Sequence, residues 1–484
     1  MKKEMTGKIG LELHLYPVTK EKLFCTCVAS REKGLRENTN VCPVCTGQPG
    51  AKPMLPNVEA VKKAVAIGLM LGCKINKKMN WQRKHYDWPD LPKGYQNTLS
   101  GAYAVPVGEK GKFSGISIWS MHLEEDPASW NPETGEVDYN RSGLPLIEIV
   151  TAPDFSTSEE VVAWLKKLIL SLGYLKAIDK NAGVKADVNV NLENVTFSSP
   201  KILKKQLKIS GLIGEKGKTE RVEIKNISSI EDIGRAIEYE LERQMKEGSV
   251  RETRRFDSAK GKTERMRGKE EQDDYRFISD PDLQDIRIDE KFVKEIAKGL
   301  PESPEEKLKR FVKTHGIGKE DAGILAKNID VAEFFEKVIE LGKKRKVDID
   351  YAKRWVLVEL LRHLNYNKKT LDEIEIRVED FVKLLELMKS GKITELQGKQ
   401  ILNIWKEKSA NPETGLKGKG KISDVGELKK VIERVLKNNE KSVEDYKNGG
   451  GKAFNYLMGQ VMIATEKRAD FVVAGKILKR LLED

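Results

Sequence analysis

Residues 122 to 126 read His-Leu-Glu-Glu-Asp, so one imidazole and three carboxylates fall within five positions. Neighbouring carboxylates repel, and gathering them calls for a cation to hold. On a strand, alternation puts His122, Glu124 and Asp126 on one face and Glu125 on the other. The stretch "KIGLELHLY" places Glu12, His14 and Tyr16 on one strand face and Ile9, Leu11, Leu13 and Leu15 on the opposite one. Glu148 stands inside the apolar run "LPLIEIVTAPD", where a carboxylate must meet a cation or a strong donor. Three sheet segments therefore offer carboxylates and imidazoles, a hard set suited to Mg²⁺ shared with substrate phosphates. The competing reading pairs these acids with lysines and arginines on a charged surface. It accounts for "HLEED" alone better than for Glu148.

Cys25, Cys27, Cys42 and Cys45 form C-x-C, fourteen intervening residues, then C-x-x-C. Paired thiolates on two turns close a tetrahedral zinc site with no open position, which makes the ion a structural one. The alternative is four ordinary reduced cysteines. Cys73 stands apart and reads as a small buried apolar residue.

Phosphate-binding motifs are scarce. No G-x-G-x-x-G follows a strand, and "LIGEKGKT" lacks the first glycine of a P-loop, so it reads as a polar hairpin. A bound nucleotide would need metal and basic side chains on a sheet, with Arg141, Lys225, Arg254, Arg255 and Arg276 as candidates. Each of these is also an ordinary surface ion-pair partner. "RKHYDWPDLPKGYQNT" interleaves Arg83, Lys84 and Lys93 with His85, Tyr86, Trp88 and Tyr95, a pattern that suits stacking on unpaired bases. An aromatic loop packed on the core has the same composition. Neither a Gly-Ser-rich amidase segment nor a G-x-S-x-G elbow supplies a nucleophile.

These residues need elements to hold them. Through about residue 285, half-polar strands such as "KADVNVN" and "RVEIKN" alternate with helices such as "NVEAVKKAVAIGLMLG" and "STSEEVVAWLKKLILSLGY". Thr157 and Glu160 of the latter have capping-box spacing. The fold class is α+β, an antiparallel sheet with one wet face and helices on the other. Helical periodicity then takes over, with Ser303 and Pro304 opening one helix, and "NPETGLKGKGKISD" separates a small helical tail. The pentapeptide "GKTER" at 217 and 261 marks two hairpin turns. The expected domains are 1–288, 289–410 and 411–484. Across 484 residues Lys plus Arg number 87 against 75 Asp plus Glu, and the net +12 suits an acidic partner such as RNA or simply a solubilising surface. The absence of a long apolar run argues against a membrane span or secretory signal, and the clustered cysteines against a disulfide scaffold, so a reducing cytoplasm is expected.

Taken together, "IGLELHLYPVTKEKLFCTC", "NTNVCPVCTGQPGAKPMLPN", "RKHYDWPDLPKGYQ", "HLEED", "DYNRSGLPLIEIVTAPD", "VEIKNISSI", "ETRRFD", "MRGKEEQDDYRF" and "SVEDYKNGGGKAFNYLMGQVM" resemble, in order, the B subunits of aspartyl/glutamyl-tRNA(Asn/Gln) amidotransferases. The resemblance spans essentially the whole chain. It implies a cradle resembling glutamine synthetase, an all-α domain and a small all-α tail that contacts the tRNA body. It implies ATP- and Mg²⁺-dependent phosphorylation of the side-chain carboxylate of Glu-tRNA(Gln) or Asp-tRNA(Asn). Ammonia would come from a glutaminase A subunit, with a small C subunit completing a heterotrimer.

Carried over by motif, Glu12, His14, Glu124, Glu125 and Glu148 are the implied Mg²⁺ ligands, and the four cysteines match the zinc-bearing members. Strand parity favours Asp126 over Glu125 here, whereas the family pattern favours Glu125. Lys84, Lys93, Tyr95, Tyr139 and Lys185 are the implied contacts of the tRNA 3′ end. Lys185 stands where many relatives have arginine, which keeps charge but loses the bidentate fork. His85 and Asp87–Trp88 stand where Asn and Phe–Tyr are commoner. Two rivals are kept: the archaeal E-type subunit, whose large inserted domain 484 residues do not accommodate, and a non-catalytic tRNA-binding zinc protein.

Overall fold

The computed structural model describes residues 6–31, 34–179, 182–193, 218–268, 276–414 and 420–483. Two compact units, Met1–Ser303 and Pro304–Asp484, divide the chain.

The first unit is organised by a 12-stranded sheet. In chain order its strands include β1 (Thr6–Leu15), β2 (Gln82–His85), β3 (Tyr95–Thr98), β4 (Gly108–Phe113), β5 (Ile116–Glu125) and β6 (Pro145–Thr151). There follow β7 (Lys185–Glu193), β8 (Val222–Ile227), β9 (Glu252–Asp257), β10 (Lys262–Gly268) and β11 (Arg276–Ser279). Across the sheet the order is β10-β9-β8-β7-β1-β6-β5-β3-β2-β11, with β4 also on β5 and the short Lys74–Ile75 strand on β4. β1 therefore lies centrally, antiparallel to both β6 and β7.

Three helices cover one face: α1 (Val58–Met70), α2 (Ser158–Leu175) and α3 (Ile230–Glu247). Each begins at a residue whose side chain accepts from first-turn amides, namely Asn57, Thr157 and Ser229. Thr157 accepts from the Glu160 amide at 3.2 Å, while the Glu160 carboxylate accepts from Ser156 at 2.8 Å, so the reciprocal arm of the expected box lands one residue earlier. α1 gives way at Gly72, whose φ of +67° only glycine adopts without strain. The sheet departs from the all-antiparallel expectation at one pair, since β8 and β9 run parallel. α3 lies between those two strands and supplies the crossover that a parallel pair requires.

The β1 residues Ile9, Leu11, Leu13 and Leu15 are fully buried in one cluster with Val61 and Val65 of α1, Leu165 and Leu168 of α2, and Ile233 and Ile237 of α3. The helix Glu290–Lys298 packs Phe292, Val293 and Ile296 on the same cluster. Its apolar stripe thus ties it to the sheet, although the sequence pattern turns helical at about residue 289.

The second unit is all helical in its described residues, apart from isolated bridges. Helices from Pro304–His315 to Glu395–Ile404 share one core, and those from Val425–Lys437 to Phe471–Glu483 share another. The second "GKTER" lies at the β9–β10 hairpin, where Gly261 takes φ +62°. Residues 212–217 of "LIGEKGKT", which include the first residue of the earlier "GKTER", and residues 415–419 of the Gly-rich stretch fall outside the described residues.

Leu13 sits at the centre of the sheet and is fully buried. Leu13→Ala is expected to destabilise the chain by about 2–5 kcal/mol through lost burial and the cavity left behind. Urea unfolding of both proteins checks this, and a shift below about 1 kcal/mol would contradict the packing.

Candidate active site

The face of β1 turned from the helices carries Glu12 and His14. Register does the rest. Glu12 lies opposite Asp187 of β7, and His14 opposite Glu148 of β6. Glu148 in turn lies opposite His122 of β5, and Asn189 of β7 opposite Glu223 of β8. Residues paired across adjacent strands project to the same side, so five strands contribute polar side chains to one surface.

Two donor groups result. His14, Glu124 and Glu148 form one and Glu12, Asp187 and Glu223 the other, with ligand atoms inside each group within 4.8 Å of one another. In the first, the His14 and His122 Nε2 atoms each lie 3.4 Å from the same Glu148 oxygen, and His122 lies 3.8 Å from Glu124. In the second, Lys225 Nζ bridges Asp187 and Glu223 at 2.8 Å each, and Asn189 donates to Glu12 at 3.1 Å.

The electrostatics follow from burial and crowding. Burial and then the Glu148 and Glu223 charges push the Glu12 carboxyl above its ordinary value, against the pull of Lys225. Glu124 is likewise pushed up by burial and by Glu148. Burial opposes protonation of His14, but its Glu148 hydrogen bond and charge prevail and raise it to about 9. His122 is raised too, its burial outweighed by the Glu148 and Glu124 charges. Glu148 is the counterpart: despite burial, His122 and then His14 hold it well below the usual carboxylate range.

Both donor groups fit a divalent cation. Three carboxylates with Lys225 among them make the second an oxygen set of the kind Mg²⁺ takes. The first mixes imidazole with carboxylates, and beside it both buried His122 ring nitrogens lack a hydrogen-bond partner among the described residues, Nε2 meeting Glu148 as an ion pair alone. Asp187 and Glu223 join these surroundings without having been singled out as ligands from sequence, whereas His122 stood among the imidazoles of the expected set. Their signal was present, because each occupies the polar side of an alternating strand.

Glu125 is not brought to either group. Alternation turns it to the other side of β5, where its carboxylate accepts from Lys93 Nζ and from the Asn97 amide at 2.9 Å. Asp126 lies past the strand end and pairs with Arg31 at 3.1 Å and Arg141 at 3.4 Å. Arg141 also donates to the Pro127 and Ala128 carbonyls. Arg254 turns toward the helices, donating to Glu252 and Thr263 with Glu240 of α3 at 3.7 Å. Arg255, in register with Lys225, lies on the donor side and meets Glu264. Arg276 is exposed on β11, where His85 contacts its carbonyl.

Lys185 lies opposite His14, its Nζ 5.9 Å from the Tyr16 ring centre. Lys84 is near enough to Glu124 to lower its proton affinity. The Tyr95 ring is flanked by His85 at 5.4 Å and by the Arg83 guanidinium at 4.4 Å. The Tyr139 carbonyl accepts from Lys22 at 3.4 Å.

The four cysteines converge with their sulfurs all within 4.8 Å. Cys42 and Cys45 are 3.8 Å apart, matching the edge of a tetrahedron with Zn–S of about 2.3 Å. Gly47 closes this turn at φ +64°, and a Cβ there would meet the Pro92 carbonyl at 2.5 Å. A hydrogen bond from Cys25, aided by the Lys22 charge, holds the Cys45 thiol down to about 4, while burial first pushes Cys27 up to about 11. A thiolate is thus favoured at Cys45 before any ion enters. All five cysteines are free thiols, and no described helix is long and apolar enough to cross a membrane.

Comparison with known sequences decides the family. The GatB/GatE catalytic domain profile matches residues 7–294, and the GatB domain profile residues 333–482. The chain belongs to the GatB family. It is 43% identical over 490 residues to the B subunit of the aspartyl/glutamyl-tRNA(Asn/Gln) amidotransferase of Methanocaldococcus jannaschii, covering 98% of each chain. The equally named proteins of Methanococcus maripaludis strain C5 and Methanopyrus kandleri are 40% and 39% identical, with 100% and 98% of each chain covered. All three relatives are named as B subunits of such an amidotransferase.

The thiol cluster yields a direct check. Purified chain is expected to carry about one equivalent of zinc, and a strong chelator to lower its unfolding temperature. Metal analysis finding well under one equivalent would remove the assignment.

Proposed function

We propose that the polar sheet face binds ATP with Mg²⁺ and transfers the terminal phosphoryl group to the side-chain carboxylate of Glu-tRNA(Gln), Asp-tRNA(Asn) or both. The carboxylate oxygen attacks phosphorus and ADP departs. Ammonia then attacks the activated acyl carbon, phosphate leaves, and the amide remains. The carrying observation is the pair of donor groups on adjacent strands, with Lys225 between acids and Lys185 and Arg255 on the same side. The relatives' names supply the substrate class.

Chemically, a carboxylate is a poor acyl donor, and phosphorylation gives it a leaving group. His14, Glu124 and Glu148, together with Glu12, Asp187 and Glu223, are the residues that would hold Mg²⁺. Bound there, the ion supplies charge neutralisation and alignment of the nucleotide phosphates. The protein's own part is to hold acids and imidazoles fixed before substrate arrives, so that little reorganisation remains. Lys225 and Arg255 face transferred negative charge, whereas Arg141 and Arg254 brace the surrounding backbone. Glu125, on the other side of β5, is held by Lys93 and the Asn97 amide. Lys84 and Lys185 border the acids where an aminoacylated 3′ end would lie, while Lys93 and Tyr95 stand with Glu125 on the other side of the sheet and Tyr139 contributes through the segment it anchors.

Ammonia is the remaining requirement. The cysteines that could attack glutamine are gathered into the thiol cluster, so a partner glutaminase A subunit supplies it and a small C subunit completes the heterotrimer. Zinc is structural, and the setting is the cytoplasm.

With the partner subunits, ATP, Mg²⁺ and Glu-tRNA(Gln), Glu124→Ala plus Glu148→Ala is expected to lower amide formation by about 10²–10³-fold or more, with glutamine hydrolysis by the partner retained. Undiminished amidation would sink the proposal. Asp187→Asn tests the second donor group separately. A loss of at least about tenfold, accompanied by a raised Mg²⁺ requirement, is expected, and unchanged Mg²⁺ dependence would exclude that group from the reaction.

A further inference from the structure

Lys22 is among the most deeply buried large side chains of the protein, with 1% relative exposure. Lysine is almost never found there unless its charge is matched. Its Nζ lies 3.0 Å from the Asn40 carbonyl, 3.4 Å from the Tyr139 carbonyl and 3.5 Å from Cys45 Sγ. Among the described residues no carboxylate pairs with it. Among the described residues, the group at its Nζ that can carry negative charge is the Cys45 sulfur.

A divalent cation held by four thiolates leaves a doubly negative site, which is costly to bury without a nearby positive charge. We propose that Lys22 is the buried counter-cation of this four-thiolate site, and that through it a bound metal fixes the segment leading into β6. This rests on the structural-zinc reading given above.

That segment is zipped to the cysteine loops by several bonds. Asn140 accepts from the Asn40 amide at 2.8 Å, Ser142 donates to the Cys45 carbonyl at 2.8 Å, and the Leu23 amide donates to the Gly143 carbonyl at 2.8 Å. The Gly143 amide then donates to the Asp126 carbonyl at 2.9 Å, just past β5. Lys22 binds both sides of this seam, the Asn40 carbonyl on one and the Tyr139 carbonyl on the other. It is a positioning residue: it touches neither donor group of the active face.

The test uses the full chain, with zinc affinity from chelator competition and cobalt substitution read by the thiolate charge-transfer bands. Lys22→Met keeps the length and removes the charge. It is expected to weaken zinc binding by about 10–100-fold and to speed amide exchange across residues 137–143 in the metal-loaded protein. Cys45→His alone also weakens binding. In the Lys22→Met background it replaces a thiolate with a neutral imidazole and is expected to recover affinity relative to Lys22→Met. If Lys22→Met does not fold, the double variant is expected to. Wild-type affinity and exchange in Lys22→Met, or a double variant weaker than either single one, overturns the counter-cation role while leaving the zinc site standing. A wild-type chain that takes up no metal overturns both.

Discussion

The mutual repulsion of acids gathered on one side of β1 is the constraint on which the functional face depends. Glu12, Glu124, Glu148, Asp187 and Glu223 converge from five strands, with two imidazoles and Lys225 among them and Lys84 close to Glu124. Such an arrangement persists because the opposite side of the same strands is a large apolar core. Burial of residues such as Leu11, Leu13, Ile147, Ile149, Val188 and Val190 offsets the cost of crowding charge. Core and site are two faces of one register. Slipping β1 by a single residue would bury Glu12 and His14 and expose the leucines, so the fold cannot keep its core and lose its site.

Two kinds of donor are kept apart in this chain, and the separation is chemical as well as spatial. Thiolates on two turns select a soft-tolerant ion such as zinc, while carboxylates on a sheet suit a hard one. The thiol loops are hydrogen bonded to residues 137–143, which lead from the end of β5 toward β6. These two strands carry Glu124 and Glu148. A structural ion would therefore stiffen the approach to the acidic face without taking part in its chemistry.

Much of this was legible from residue types. Glu148 stood out because an acid in "LPLIEIVTAPD" has few ways to be satisfied, and the structure surrounds it with His14 and His122. The alternation in β1 correctly divided its core side from its polar side. Asp187 and Glu223 were visible as polar alternants but not as ligands, because nothing local in "KADVNVN" or "RVEIKN" distinguishes a metal donor from a wet surface. Family resemblance grouped Glu125 with Glu124, yet period-two geometry turns it toward Lys93. Arg254 and Arg255 are adjacent in sequence and have opposite fates for the same reason, one bracing α3 and the other facing the donors.

By itself the sequence determined the α+β class, the apolar sides of the strands, the four-cysteine spacing and the family, since these rest on local periodicity, residue chemistry and ordered motifs. Only the tertiary structure decided that β1 lies between β6 and β7, that β8 and β9 run parallel, and that the acids divide into two groups. Those facts depend on which distant strands pair and in what register. That choice is made by burying the whole apolar surface at once, which no short stretch of the chain can specify alone.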